Sequence, residues 1–202
     1  MTRIKLCGLS RACDIEAANE LKPEYIGFVF VPKSRRYVSP DTAAELKRLL
    51  FSEIRAVGVF VDENIQTVAA LLNSSVIDIV QLHGKESEEY IQELRTLTDK
   101  PILKAFRIES EQDVLRANAS CADGILLDSG AGTGTVFDWT WLARIDRPYF
   151  LAGGLDSKNV SKAIRAWNPY AVDVSSGIET DGIKDKNKMA AFVCAVRKEG
   201  NI

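Results

Sequence analysis

The chain has 202 residues, 46% of them hydrophobic and 27% charged, with a formal net charge of −2. That length suits one large α/β domain or two very small ones. The balanced charge excludes the broad basic face of a nucleic-acid binder, and no run reaches the roughly 18 apolar residues that span a bilayer. The opening Met1-Thr2-Arg3-Ile4-Lys5 lacks the apolar stretch of a signal peptide, so a cytoplasmic location with no membrane partner is expected. Cys7, Cys13, Cys121 and Cys194 form no C-x-x-C pair, and His83 is the lone histidine. Reduced thiols and no metal site are the expectation.

Apolar, β-branched runs recur at roughly 20–30-residue intervals, the pattern of βα repetition. They predict strands near 3–7, 25–30, 55–61, 78–82, 101–106, 123–127, 148–152 and 170–174. Apolar stripes at helical spacing fall between them: Ala43, Leu46, Leu49 and Leu50; Ile65, Val68, Ala69 and Leu72; Val160, Ala163, Ile164 and Trp167; Met189, Phe192, Val193 and Val196. Ser39-Pro40 supplies an N-cap and a proline at the first helical position. Asn168-Pro169 closes the seventh helical segment. Eight strand-then-helix units of about 25 residues fill the chain with no linker, which predicts a single (βα)8 TIM barrel over 1–202. An open doubly wound sheet would place a glycine-rich phosphate loop after its first strand; the Gly8 loop has no second glycine.

In such a barrel the strand C-terminal ends carry the chemistry. There the sequence places Lys5 and Cys7, the loop Lys33-Ser34-Arg35-Arg36, Asp62, Gln81 and His83, Arg107, Asp128, Gly153-Gly154, and Asp173 with Ser175-Ser176-Gly177. Lys5 and Cys7 share parity, so both point to one side of the first strand. Gly153-Gly154 after strand seven and Ser175-Ser176-Gly177 after strand eight read together as an anion site for a phosphate; either alone would be a turn. Other features keep two readings. Cys7 is a base, nucleophile, metal ligand or buried packing thiol, and Asp128 is a group in the mouth or a cap of the Ser129–Gly134 loop. Arg36 is a ligand-binding cation or part of a solvated basic loop. His83 can simply bond within its own loop, Asp62 cap a helix and Arg107 pair with a surface acid. The Ser129–Gly134 segment lacks the Gly-Lys-Ser/Thr of a Walker loop and reads as an active-site lid or a surface loop. Trp139, Trp141 and Trp167 read as packing residues.

Several of these segments together resemble the phosphoribosylanthranilate isomerase family. They include Lys5-Leu6-Cys7-Gly8-Leu9, Gly27-Phe28-Val29-Phe30, Pro32-Lys33-Ser34-Arg35-Arg36-Tyr37, Val80-Gln81-Leu82-His83-Gly84 and Leu126-Leu127-Asp128-Ser129. Phe137-Asp138-Trp139, Leu151-Ala152-Gly153-Gly154-Leu155 and Asp173-Val174-Ser175-Ser176-Gly177-Ile178-Glu179 continue the match in order to the last helix. The resemblance implies a cofactor-free isomerase of tryptophan biosynthesis. Its reaction is the Amadori rearrangement of N-(5′-phosphoribosyl)anthranilate to 1-(o-carboxyphenylamino)-1-deoxyribulose 5-phosphate. The resemblance also implies Cys7 as general base, Asp128 as general acid, Arg36 as partner of the anthranilate carboxylate, and phosphate at Gly153, Gly154, Ser175 and Ser176. The partner is then a small phosphorylated substrate, and the chain a monomer or homodimer.

The chemistry makes opposite demands on the two catalytic groups. An ordinary Asp, with pKa about 3.9, is protonated in only about one molecule in a thousand at pH 7, so an acid Asp128 needs an apolar or anionic setting. A thiol near pKa 8.5 is only a few per cent ionised at neutral pH; a neighbouring cation, with Lys5 the candidate, would raise that fraction. Two rivals remain: the histidine-pathway isomerase, expected to carry aspartate where this chain has Cys7, and a non-catalytic phosphate-ligand barrel.

Overall fold

The computed structural model describes residues 1–128 and 139–200. The Ser129–Gly134 segment, with Phe137 and Asp138 of the resembling motif, lies outside the described residues. Eight parallel strands close into a barrel: β1 Arg3–Cys7, β2 Tyr25–Val29, β3 Arg55–Phe60, β4 Ile79–Leu82, β5 Ile102–Arg107, β6 Gly124–Asp128, β7 Tyr149–Ala152 and β8 Ala171–Val174. β8 returns to β1 with Lys5 opposite Asp173, and on its other side β1 sets Cys7 opposite Gly27. Each strand falls within one residue of its expected bounds at either end. These strands are buried on both faces, so their apolar runs are nearly continuous and easy to read.

Seven α-helices lie among the described residues: α1 Ala12–Leu21, α2 Pro40–Leu49, α3 Ile65–Asn73, α4 Glu88–Leu97, α5 Glu111–Ala119, α6 Val160–Trp167 and α7 Lys186–Glu199. The expected caps are present. Ser39 accepts a hydrogen bond from the Thr42 amide with Pro40 in the first turn, and Asn168 ends α6 in the left-handed conformation at φ 42°. Two expectations are corrected. Among its described residues, the sixth strand-then-helix unit has a 3₁₀ segment, Trp139–Arg144, and no α-helix where one is expected. Leu49 leaves the α2 stripe and is 51% exposed, because α2 ends there and the chain turns Leu50 inward instead.

The core has two main layers. One fills the space between barrel and helices. The other lies inside the barrel, where Tyr25, Val57, Ile79, Leu103, Leu126 and Phe150 pack at the N-terminal end. Burying each large apolar side chain contributes about 1.5–3 kcal/mol. Trp141 and Trp167 pack against the outer layer, as expected for packing residues. Above the inner layer the barrel turns polar: Lys5, Gln81 and Asp173 are buried there. No helix among the described residues is long and apolar enough to cross a membrane.

Candidate active site

The seven residues to which the resemblance gives catalytic or binding roles border one cavity at the C-terminal mouth, of about 400 Å³, while Lys5 and Gly177 lie outside its lining. Cys7, Arg36 and Asp128 line it together with Gly153, Gly154, Ser175 and Ser176. The cause is strand parity. Cys7 at the end of β1 and Asp128 at the end of β6 both fall on inward-facing positions, and the barrel's closure turns them toward each other's space. Val29 and Val59 pack with Cys7 and form an apolar wall beside it.

The thiol needs room, and Gly27 provides it. A Cβ at that position would lie 2.6 Å from Cys7 Sγ, closer than atoms can approach. Beneath Cys7, Lys5 Nζ donates to Asp173 Oδ1 at 2.9 Å in an ion pair that is fully buried on the lysine side. Burial pushes the Lys5 ammonium down, but Asp173 and Cys7 outweigh it and its pKa is raised. Burial pushes the Cys7 thiol up; Lys5 and Lys184 pull it down while Asp173 adds to the rise, and the net direction is upward from 9.0. The expectation that Lys5 makes Cys7 readily ionised is therefore met in sign only. Solvent exclusion outweighs the cation because Asp173 already balances that cation.

Across the mouth, Asp128 follows three fully buried residues of β6, Ile125, Leu126 and Leu127, and its Oδ2 lies 3.6 Å from His83 Nε2. The other ring nitrogen of His83 is hydrogen-bonded to the Gln81 side-chain nitrogen at 2.8 Å. With Gln81 donating to Nδ1, the neutral ring carries its proton on Nε2, the nitrogen nearer Asp128. His83 thus serves more than its own loop.

Arg36 is held from two sides. Its Nε and Nη2 donate to Glu179 Oε1 and Oε2 at 2.6 and 2.9 Å, and its stem crosses Gly8, where a Cβ would lie 2.5 Å from Arg36 Cδ. Gly8 also has φ 79°, a left-handed conformation that suits glycine. Lys184 Nζ donates to Glu179 Oε1 at 2.6 Å and to the Ser175 carbonyl at 2.9 Å. Burial pushes the Glu179 carboxyl up, but hydrogen bonds from Arg36 and Lys184 overcome it and hold its pKa at about 2. Lys184 itself is pulled down by burial, an effect Glu179 only partly offsets.

The anion loops lie next to each other. Gly153 and Gly154 both adopt positive φ, 94° and 62°. After β8 the chain forms a short 3₁₀ turn, Ser176–Ile178. Gly177 packs so tightly on the β7 loop that a Cβ would lie 2.0 Å from the Leu155 carbonyl oxygen. Ser175 Oγ donates to the Cys7 carbonyl at 3.2 Å, which ties this loop to the end of β1.

Other strand-end residues do structural work. Asp62 does not cap α3, whose N-cap is Asn64; it accepts from the Lys85 amide at 2.6 Å and links the loops after β3 and β4. Arg107 pairs with Glu109 at 2.7 Å, and Arg35 turns to Glu179. Glu179 and Lys184 are the residues that sequence reasoning did not single out. A signal was present: Thr180-Asp181-Gly182-Ile183 carries the Asp-Gly pair of a tight hairpin. The chain does form one, β9 Glu179–Thr180 against β10 Ile183–Lys184, with Asp181 and Gly182 at φ 52° and 79°. Among the described residues no cluster of three His, Cys, Asp or Glu side chains could hold a metal ion.

A closed parallel barrel with its buried polar groups gathered at the strand C-terminal ends is a (βα)8 barrel with an active-site-type mouth. Residues 4–195 match the family model of N-(5′-phosphoribosyl)anthranilate isomerase. The chain belongs to the phosphoribosylanthranilate isomerase family. It is 43% identical over 204 residues to the N-(5′-phosphoribosyl)anthranilate isomerase of Thermoanaerobacter sp. strain X514, covering 98% of each chain. The fold matches the crystal structure of phosphoribosyl anthranilate isomerase from Thermotoga maritima with a TM-score of 0.88 and 34% identity, covering 98% of this chain and 100% of that one. A phosphoribosyl anthranilate isomerase solved in complex with reduced 1-(o-carboxyphenylamino)-1-deoxyribulose 5-phosphate matches with a TM-score of 0.86 and 34% identity, over 98% of this chain and 100% of that chain.

Proposed function

We propose that this chain catalyses the Amadori rearrangement of N-(5′-phosphoribosyl)anthranilate to 1-(o-carboxyphenylamino)-1-deoxyribulose 5-phosphate in tryptophan biosynthesis, using Cys7 and Asp128 without a cofactor. The observation that carries the reading is convergence. A thiol, a carboxylate, an arginine and two glycine–serine loops from five separate strand ends border one cavity.

Phosphate would bind at Gly153, Gly154, Ser175 and Ser176, and the anthranilate carboxylate would meet Arg36. Anchored at both ends, the substrate lays its ribose between Cys7 and Asp128. Asp128 gives its proton to the furanose ring oxygen while the anthranilate nitrogen lone pair forms the C1′=N bond and the C1′–O bond breaks. Cys7, as thiolate, then takes the C2′ proton. The C–H pair becomes the C1′=C2′ bond and the iminium pair returns to nitrogen. Loss of the O2′ proton with protonation of C1′ gives the ketone and allows both groups to return to their starting states. Each proton transfer by a positioned side chain typically contributes about 10²–10⁴-fold.

The raised pKa of Cys7 has a function in this scheme, since a basic thiolate is the stronger proton acceptor once formed. A cytoplasmic location belongs to the same proposal. It is supported by four unpaired thiols, Cys7, Cys13, Cys121 and Cys194, which fit a reducing compartment. The test is loss of anthranilate-type fluorescence with substrate generated in situ from anthranilate and phosphoribosyl pyrophosphate by a separately added phosphoribosyltransferase. Turnover supports the proposal; a purified, folded chain that leaves the fluorescence unchanged overturns it.

A further inference from the structure

The mouth contains a buried charge cluster that the reaction scheme does not use. Glu179 is almost wholly buried and receives Arg36 on both carboxylate oxygens, Lys184 on Oε1 and Arg35 on Oε2. Three cations around one carboxylate leave positive charge in excess beside a cavity whose proposed substrate carries two anionic groups. The geometry is also directional. A guanidinium offers two forked edges to carboxylates; Glu179 takes the Nε/Nη2 edge. Among the described residues none takes the Nη1/Nη2 edge.

Arg36 borders the cavity and Glu179 does not, so Glu179 stands behind the arginine rather than in the substrate's place. The hairpin that carries it is fastened independently. The Lys184 carbonyl accepts from Arg11 at 2.8 Å, and the Glu179 carbonyl accepts from Lys188 at 2.6 Å. Lys184 meanwhile reaches Ser175 at both its carbonyl and its hydroxyl, at 2.9 and 3.2 Å. One buried ion pair therefore touches both substrate anchors, the arginine and the anion loop after β8.

We propose that Glu179, balanced by Lys184, is a positioning residue that sets the carboxylate selectivity of the mouth. It fixes Arg36 so that only its Nη1/Nη2 edge meets a planar carboxylate, at a set separation from the Ser175 loop. This rests on the assignment of Arg36 to the anthranilate carboxylate. Loss of Glu179 frees Arg36 to rotate and weakens recognition of the aryl carboxylate, while the phosphate arm and the proton-transfer groups remain.

The test compares wild type, Glu179→Gln, Arg36→Met and the double variant Arg36→Met/Glu179→Gln. It reads KM, kcat and competitive inhibition by anthranilate and by inorganic phosphate. Glu179→Gln is expected to raise KM and the anthranilate inhibition constant by about tenfold or more. It should leave kcat within about threefold and the phosphate constant within about twofold. In the Arg36→Met background it should add no further loss, the sign that it acts through Arg36. An anthranilate constant that is unchanged or lower, equal weakening of anthranilate and phosphate, or additive losses in the double variant would each overturn the proposal. If Glu179→Gln alone does not fold, Glu179→Gln/Lys184→Met removes both charges together; because Lys184 also braces the Ser175 loop, only the rise of about tenfold in the anthranilate constant, and its absence in the Arg36→Met background, is read from that variant. A wild type without turnover would instead sink the assigned reaction, so the two failures are distinguishable.

Discussion

Lys5→Met probes the buried ion pair under the thiol. Lys5 is fully buried, and its Nζ lies 2.9 Å from Asp173 Oδ1. Methionine keeps most of the stem volume, so the cost falls on Asp173, left charged and without its partner. Breaking a buried pair from one side typically costs about 3–5 kcal/mol. Asp173 also borders the cavity, which places the expectation near the lower end, about 3 kcal/mol. For a domain of this size that lowers Tm by about 6–12 °C. Adding Asp173→Asn removes the stranded charge and should recover most of the loss. The same variants move Cys7 in opposite directions, because Lys5 favours its thiolate and Asp173 opposes it. Lys5→Met should shift iodoacetamide alkylation of Cys7 to higher pH, and Asp173→Asn should shift it lower. Peptide mass spectrometry is the assay, since Cys13, Cys121 and Cys194 are exposed. A Tm loss worth less than about 1 kcal/mol, or a double variant no better than the single, would refute the energetic reasoning. An unmoved alkylation profile would remove Lys5 from the control of Cys7.

Three further outcomes follow from the geometry. Arg36→Met should raise KM by about 10–100-fold with kcat little changed, because it removes charge-assisted bonds to the substrate carboxylate; an unchanged KM in steady-state kinetics would assign Arg36 to the scaffold. Gly27→Ala places a methyl group 2.6 Å from Sγ, and a displaced base should cost about 10²-fold in kcat while the circular dichroism spectrum is retained; normal kcat would show that the thiol position is not critical. Glu179 has a folded pKa of about 2 against an ordinary 4.5, so its contribution is fully present above about pH 4.5 and is lost as pH falls toward 2. Wild type should therefore lose on the order of 2–3 kcal/mol more than Glu179→Gln across that window, read from denaturant melts at several pH values; parallel pH profiles for the two proteins would contradict it.

The barrel was legible because its strands are buried on both faces and so stand out as apolar runs punctuated by caps such as Ser39 and Asn168. The sixth unit was less legible: among the described residues between β6 and β7 the helical part is the 3₁₀ segment Trp139–Arg144, too short for a helical period to register. Leu49 fitted a helical stripe, but periodicity does not reveal that a helix ends at that residue. Parity placed Cys7 beside Lys5 correctly, yet parity carries no information about solvent exclusion, and burial set the direction of the thiol's pKa. The Glu179 clamp shows the same limit at longer range. Arg36 and Glu179 are 143 positions apart, and only closure of β8 onto β1 brings their loops together.

In the proposed mechanism Cys7 and Asp128 move the protons. The kcat of Cys7→Ser and Asp128→Asn, with binding of inorganic phosphate followed in parallel, tests those two roles. Each variant is expected to lose at least about 10²–10⁴-fold in kcat while phosphate binding stays within about twofold of wild type. A kcat near wild type in either variant would contradict the assignment.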